Sequence, residues 1–117
     1  MNLPNRGKAY VYHRKLTDYL LSESHPIGKW KSKIFRRLGF SEDNVSVLEK
    51  EIISIAKSKN VVQSFLSEFG TKYVIDGELK GPNSDSIRIR TIWIIEKGKK
   101  APRFVTAYPL PRTRRSR

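Results

Sequence analysis

The order of helical and extended patterns along the chain predicts an α+β fold. Apolar residues recur at helical spacing as far as about residue 60, and beyond it the period changes to the alternation of strands. About three helices therefore precede about four strands, and no helical pattern falls between the strands. This order excludes a doubly wound parallel sheet and favours helices packed on one face of an antiparallel sheet.

The helical half contains two segments before residue 40. The segment VYHRKLTDYLLSES predicts a short helix over residues 15–21 with Leu16, Tyr19 and Leu20 on one face. The segment SHPIGKWKSKIFRRLGF predicts a second helix, and Gly39 stands where a C-terminal cap belongs. The apolar stripe of this second helix consists of Ile27, Trp30, Ile34 and Leu38, and the opposite side carries Lys29, Lys33, Arg36 and Arg37.

The segment SEDNVSVLEKEIISIAKSKN predicts the third helix. Ser41 or Asp43 caps its start, because their side-chain oxygens can accept from the first backbone N–H groups. Leu48, Ile52 and Ile55 form its core stripe.

The extended half begins with a predicted hairpin. VVQSFLS and TKYVID are its strands, EFG its turn and Gly70 its pivot. After the loop GPNSDS, the segment IRIRTIWII alternates and places Arg88 and Arg90 on the face away from the core. RFVTAY makes the last strand. Its register leaves two alternatives for the free face, which are Thr106 with Phe104 and Tyr108, or Arg103 with Val105 and Ala107.

Composition indicates one basic domain that binds a polyanion. The 117 residues suffice for one domain with one core, which we expect over residues 1–111. The formal net charge is +13, and the tail RTRRSR, residues 112–117, which we expect to be disordered, contributes only four of these charges. The basic surface therefore belongs to the folded body, and it favours nucleic acid, an anionic membrane or an acidic protein as partner.

Several classes of site lack support in the sequence. There is no cysteine, so a disulfide framework and a thiolate site are excluded. No apolar run has the length of a signal peptide or a membrane span, and we expect a soluble, cytoplasmic protein. Nucleotide-binding, zinc-protease and hydrolase motifs are missing, and the acidic residues form no dense cluster. We therefore expect no metal and no cofactor.

Nuclease chemistry without a metal is nevertheless possible on RNA. The 2′-hydroxyl can attack its own adjacent phosphate if the protein supplies a base, an acid and groups that stabilise the phosphorane. His25 precedes the basic helix, where it is either an acid or base near a bound phosphate or a surface histidine that closes a loop before Pro26. His13 is interpreted as structural or exposed.

The remaining cations also leave two interpretations open. Lys29 and Lys33, with Arg36 and Arg37 on the same side, are either a solvated helix face or phosphate ligands. Arg88 and Arg90 on one strand face are either ordinary exposed charges or phosphate contacts. Lys72 is a further candidate contact on a strand.

The role of Thr106 in the last strand is open: it is either an ordinary strand residue or a hydroxyl presented to a ligand. It alternates with Phe104 and Tyr108, and Pro109 follows directly. From the residues alone, this is an edge strand ended by proline.

Four stretches of the chain together resemble a bacterial family with a domain of unknown function. They are LPN near the start, KLTDYLLSESHPIGKWKSKIFRRLGF, FGTKYVIDGEL and RTIWIIEKGKKAPRFVTAYPLP, and the likeness covers residues 3–111. The family occurs as small free-standing proteins and at the ends of large secreted proteins. It resembles the barnase–EndoU–colicin–RelE superfamily of metal-independent ribonuclease toxins, which often end in a strand such as TAYP.

The resemblance implies roles for five residues of this sequence. His25 becomes a candidate acid or base and Lys29 a phosphate or transition-state cation. Arg90 becomes a further phosphate ligand on the central strand, and Thr106 the hydroxyl that positions the phosphate, with Tyr108 nearby. The glutamate base paired with a late histidine in the barnase pattern has no counterpart here, so the resemblance does not assign the base.

Three functional hypotheses follow. The resemblance favours an endoribonuclease toxin that cleaves RNA, such as tRNA or mRNA, by 2′-hydroxyl attack and is neutralised by a small acidic antitoxin or immunity protein. The basic faces alone are equally compatible with a non-catalytic nucleic-acid-binding module. They are also compatible with an interaction domain for an acidic protein.

Overall fold

Four antiparallel strands form the sheet, and the helices of the described residues all precede them in the chain. The computed structural model describes residues 1–24 and 28–111, with side chains from residue 31 onward in the second range. The strands are β1 (Val61–Ser67), β2 (Gly70–Lys80), β3 (Ser86–Glu96) and β4 (Arg103–Pro109), hydrogen-bonded in the order β1-β2-β3-β4. The predicted α+β fold with an antiparallel sheet is confirmed.

The first helical segment starts two residues before its predicted beginning and changes its winding. Helix α1 (His13–Lys15) runs directly into a π-helical turn, Leu16–Leu20. The Leu21 N–H donates to the Leu16 carbonyl at 2.8 Å, a bond that spans five residues and widens the turn. Leu16, Leu20 and Leu21 are all buried, while Tyr19 remains partly exposed.

Helix α2 (Gly28–Arg37) ends where the sequence predicts. Gly39 has a φ of 104°, a conformation that favours glycine, and its N–H donates to the Arg36 carbonyl at 2.9 Å. Among the described side chains of α2 and the turn after it, Ser32, Phe35 and Leu38 are buried. Ile34, predicted in the apolar stripe, is only partly buried, so the buried stripe is rotated by about one residue.

Helix α3 (Val45–Ser58) agrees with the sequence analysis. Ser41 starts a 3₁₀ turn (Glu42–Asn44) that leads into the helix, and its side chain accepts from the Asp43 N–H at 3.2 Å. The Asn44 side chain accepts from the Ser41 N–H at 2.8 Å and so completes a reciprocal cap. Four residues of α3 are buried, namely Leu48, Ile52, Ile55 and Ala56.

The main core lies between the helices and one face of the sheet. Trp93 on β3 is its largest fully buried side chain, and its ring meets Phe104 of β4 edge to face at 5.4 Å. Thr91 is buried in the same layer, where its hydroxyl donates to the Ile75 carbonyl at 2.7 Å and accepts from the Trp93 indole N–H at 2.9 Å. Thr91 is therefore a core hydroxyl that is bonded to the backbone.

A β-bulge at Val105 divides strand β4 between the two faces of the sheet. Thr106 pairs with Ile92 and Phe104 pairs with Trp93, so Val105 is an extra residue without a partner on β3. Phe104 and Thr106, two residues apart, would share a face in a regular strand. The bulge separates them, so Phe104 enters the core and Thr106 lies on the opposite face.

That opposite face, the second face, therefore carries part of the predicted set. Its cross-strand rows are Asp76–Arg90–Tyr108 and Val74–Ile92–Thr106. Of the two alternatives for this face, the one with Thr106 and Tyr108 beside Arg90 is observed, except that Phe104 does not belong to it. The face is not wholly free either, because Val74 and Ile94 are each only 4% exposed. It offers an apolar floor with polar groups around it.

Strand β1 is the outer strand at the far side of the sheet from β4. Its sequence VVQSFLS contains neither charge nor proline. Val62, Phe65 and Leu66 are exposed there, and Phe69 is exposed in the turn that follows. The turn itself closes as predicted on Gly70, where any Cβ would collide with the Ile95 carbonyl. None of the helices in the described ranges is long and apolar enough to span a membrane.

The buried Thr91 bonds predict a specific loss of stability. Thr91→Val keeps the shape of the side chain but leaves the buried Trp93 N–H without its acceptor, so the free energy of unfolding should fall by about 1–3 kcal/mol. Chemical denaturation measures the change, with Thr71→Val on β2 as the matched strand control. A Thr91→Val variant as stable as the control would contradict the role of this network.

Candidate nucleic-acid-binding and catalytic site

The ammonium group of Lys31 lies at the centre of the candidate site. Its Nζ donates to the Tyr19 hydroxyl at 2.9 Å and to the Thr106 hydroxyl at 3.1 Å. The three residues come from helix α2, the π-helical turn and strand β4, so tertiary packing alone brings them together. Tyr108 approaches the same ammonium with its ring centroid 5.6 Å away. We call Tyr19, Lys31, Thr106 and Tyr108 the Lys31 cluster.

Tyr19 is the group in this cluster whose acidity the structure changes. Burial by itself raises the pKa of a phenol, since it penalises the charged form. Here the hydrogen bonds from Lys31 and Thr106 and the positive charges of Lys31 and Lys15 outweigh burial, and the pKa of Tyr19 is lowered. The phenolate, which can accept a proton, therefore forms more readily than in an ordinary tyrosine.

Lys31 retains charge that a bound anion can use. Among the described residues, no carboxylate lies within ion-pair distance of its ammonium, and its hydrogen-bond partners are the hydroxyls of Tyr19 and Thr106. Hydroxyl partners orient an ammonium without neutralising it. A phosphate oxygen placed beside the cluster would meet an unneutralised cation and hydroxyl groups, which is the arrangement that stabilises a developing phosphorane.

Arg90 borders the cluster and is paired differently. Its Nε and Nη2 donate to the two carboxylate oxygens of Asp76 at 2.8 and 2.9 Å, the bidentate geometry of a strong ion pair. These bonds raise the pKa of Arg90 against the opposing effect of burial, and the neighbouring Tyr108 adds to the rise. Because Asp76 neutralises it, Arg90 is better placed to position Tyr108 than to attract a phosphate.

The predicted phosphate contacts on helix α2 include exposed cations, a cation that is already paired, and residues outside the described set. Lys33 and Arg37 are exposed. Arg36 instead donates to the Leu21 carbonyl at 2.6 Å and pairs with Glu42, whose hydrogen bond raises the pKa of Arg36. It therefore fastens α2 to the neighbouring segments. His25 lies outside the described residues, as does the side chain of Lys29 (its backbone is in α2).

The two predicted contacts on the sheet share the second face with Arg90. Arg88 is exposed and lies opposite Glu78 of β2. Lys72 is half-buried, between Phe65 on β1 and Ile94 on β3. The second face thus carries these cations beside its buried apolar residues, Val74 and Ile94.

Sequence reasoning did not identify Tyr19 and Lys31 as site residues. Tyr19 belongs to an apolar helical face, and Lys31 is one of several lysines in a basic helix. Neither residue has a local motif around it. What distinguishes them is their contact with Thr106 in the folded chain. Thr106 is 75 residues from Lys31 in the sequence, so this contact is visible only in the fold.

Comparison with known proteins gives a family and a fold relative. The family model described as Domain of unknown function (DUF6883) matches residues 2–111. A search of the curated proteins finds no match. Among solved structures, a chain of the contact-dependent growth inhibition toxin–immunity protein complex from Klebsiella pneumoniae 342 superposes with a TM-score of 0.71 and 18% sequence identity. The likeness covers 89% of this chain and 95% of that chain, and it shows a shared fold.

The lowered pKa of Tyr19 can be tested directly. We expect one tyrosine to ionise at lower pH than the others in a spectrophotometric titration. Lys31→Met should raise the pKa of Tyr19, because it removes both a hydrogen bond to the phenolate and a positive charge. Tyr19→Phe identifies the transition, and Lys33→Met on the same helix is the matched control. An unchanged early transition in Lys31→Met would refute the role given to Lys31.

Proposed function

We propose that this chain, which belongs to the family described as Domain of unknown function (DUF6883), is a toxin that cleaves RNA at the Lys31 cluster. The observation that carries the proposal is an ammonium held between a phenol and a hydroxyl, with no carboxylate of the described residues within ion-pair distance. Such a site attracts a phosphate and offers a proton acceptor beside it.

The chemistry follows from the 2′-hydroxyl of RNA and balances without a further reactant. The 2′-oxygen forms a bond to the adjacent phosphorus while the bond from phosphorus to the 5′-oxygen breaks, which leaves a 2′,3′-cyclic phosphate and a 5′-hydroxyl. In our proposal the Tyr19 phenolate accepts the 2′-hydroxyl proton, and its conversion to a neutral phenol leaves the Lys31 charge uncompensated beside the developing phosphorane. Lys31 and the Thr106 hydroxyl stabilise the phosphorane oxygens. His25 is the candidate acid that protonates the leaving oxygen, and this role comes from the family resemblance.

The charge of the chain favours the role of a toxin over the role of an immunity protein. The related complex contains both a toxin and an immunity protein. A chain with a net charge of +13 is complementary to RNA and would carry it to the site by electrostatic steering. We further propose a small acidic immunity protein as the neutralising partner, bound over the same cations, because complementary charge speeds such an encounter.

RNA cleavage in the presence of EDTA tests the proposal. The purified protein should cut total RNA, and Tyr19→Phe should reduce the rate by about 10²–10⁴-fold, the usual contribution of a general base. Thr106→Val should cost about 10²–10³-fold, as does loss of one donor to a developing oxyanion. His25→Ala tests the candidate acid, and Phe69→Ala, in the exposed β1–β2 turn, is the control.

The outcomes separate the competing functions. Intact RNA with folded wild-type protein would refute the nuclease and leave a nucleic-acid-binding module. Cleavage that EDTA abolishes would refute the mechanism without a metal. Full activity of Tyr19→Phe would remove Tyr19 as the base even if RNA is cut.

The salt dependence of RNA binding tests the surrounding cations. Each phosphate contact with single-stranded RNA contributes about 0.7 to the slope of log K against log salt. Arg37→Gln and Arg88→Gln should therefore each reduce the slope by about that amount. Lys50→Gln, at an exposed position on α3, is the control of equal charge change. Equal effects of all three variants would indicate that net charge, not these positions, governs binding.

A further inference from the structure

A cavity of about 720 Å³ lies beside the Lys31 cluster. Six described residues line it, namely Tyr12, His13, Arg14, Lys15, Asp18 and Tyr19. Tyr19 is common to the cavity and the cluster, so whatever occupies the cavity touches the proposed reaction site. The volume falls within the range of small-molecule sites and accommodates one nucleotide.

The lining combines aromatic rings with charges of both signs. Lys15 extends its ammonium to 5.6 Å from the Tyr19 ring centroid, and Arg14 and Asp18 form an exposed pair at 3.6 Å. A base needs an aromatic surface and hydrogen-bonding groups at its edge, whereas a phosphate needs only cations. Asp18 would repel a phosphate but can accept a hydrogen bond from a base. The lining therefore suits a nucleobase better than a second phosphate.

Tyr12 provides the aromatic surface. The residue is 55% exposed although its side chain is large and partly apolar. Its ring is nevertheless held in place, because it meets Tyr10 edge to face at 5.4 Å and the Arg103 guanidinium lies 5.7 Å from its centroid. An exposed aromatic ring with a fixed orientation, at the wall of a cavity, is a stacking surface.

We propose that this cavity binds one unpaired nucleobase, stacked on Tyr12, next to the phosphate held by the Lys31 cluster. The inference rests on the proposed function, since it takes the cluster to be the phosphate site. Bases inside a duplex are stacked on one another and cannot present a face to Tyr12. The substrate class is accordingly RNA that is single-stranded at the cleaved position.

Binding of an uncleavable oligonucleotide tests the cavity apart from catalysis. The probe is a short, fluorescein-labelled 2′-O-methyl RNA of mixed sequence, used single-stranded and annealed to its complement. Tyr12→Ala should weaken single-stranded binding by about 5- to 150-fold, because stacking on an aromatic side chain is worth about 1–3 kcal/mol per base. Tyr12→Phe should stay within about twofold of wild type, and duplex binding should not respond to either change.

Matched controls make the outcomes decisive. Phe69→Ala removes another exposed aromatic side chain, in the β1–β2 turn, and should bind like wild type. Tyr12→Ala with wild-type affinity would overturn the proposal. Equal losses for single strand and duplex would also overturn it. Competition with polyglutamate provides a further check. If polyglutamate displaces the probe from wild type and from Tyr12→Ala with the same potency, the substitution weakens both anions equally. The cavity would then bind anions of any kind, and the proposal would be overturned.

The two proposals can fail independently. Ring-dependent binding of the single strand, with no cleavage of ordinary RNA, refutes the nuclease and supports the base site. Cleavage of ordinary RNA with binding that ignores Tyr12 supports the nuclease and refutes the base site.

Discussion

Strand β4 has to supply side chains to the core and to the candidate site at the same time, and the bulge at Val105 is how it does so. A regular strand would send Phe104 and Thr106 to one face. With the extra residue, Phe104 packs on Trp93 while Thr106 meets Lys31. The aromatic contact in the core and the Lys31 cluster therefore both use this division of β4.

Cations in this protein differ in function according to their partners. Arg36 and Arg90 are paired with carboxylates and hold elements or side chains in place. Lys31 is paired with hydroxyls and keeps its charge. The net charge of +13 therefore governs the attraction of polyanions at long range. The partner of each cation decides whether that cation is available to bind a phosphate directly.

Periodicity predicted most of the fold because helices and strands each bury one regular face. It predicted α3, the Gly39 cap and the order of the elements, and it left open which side of β4 shares the face of Arg90. It did not predict the bulge or the π-helical turn, since each inserts a residue that breaks the period on which the inference rests. It also missed Tyr19 and Lys31, whose role arises from contacts between distant elements.

The outer strand β1 bears on how this protein behaves at high concentration. An uncharged edge with exposed Val62, Phe65 and Leu66 is a template for strand pairing between molecules. Mutual repulsion of highly positive molecules opposes that pairing, and it is the same charge that attracts RNA. Strong salt, which strips nucleic acid from a basic protein, shortens the screening length to about 3 Å at 1 M and withdraws this repulsion. Colloidal stability and freedom from bound nucleic acid therefore require opposite ionic conditions.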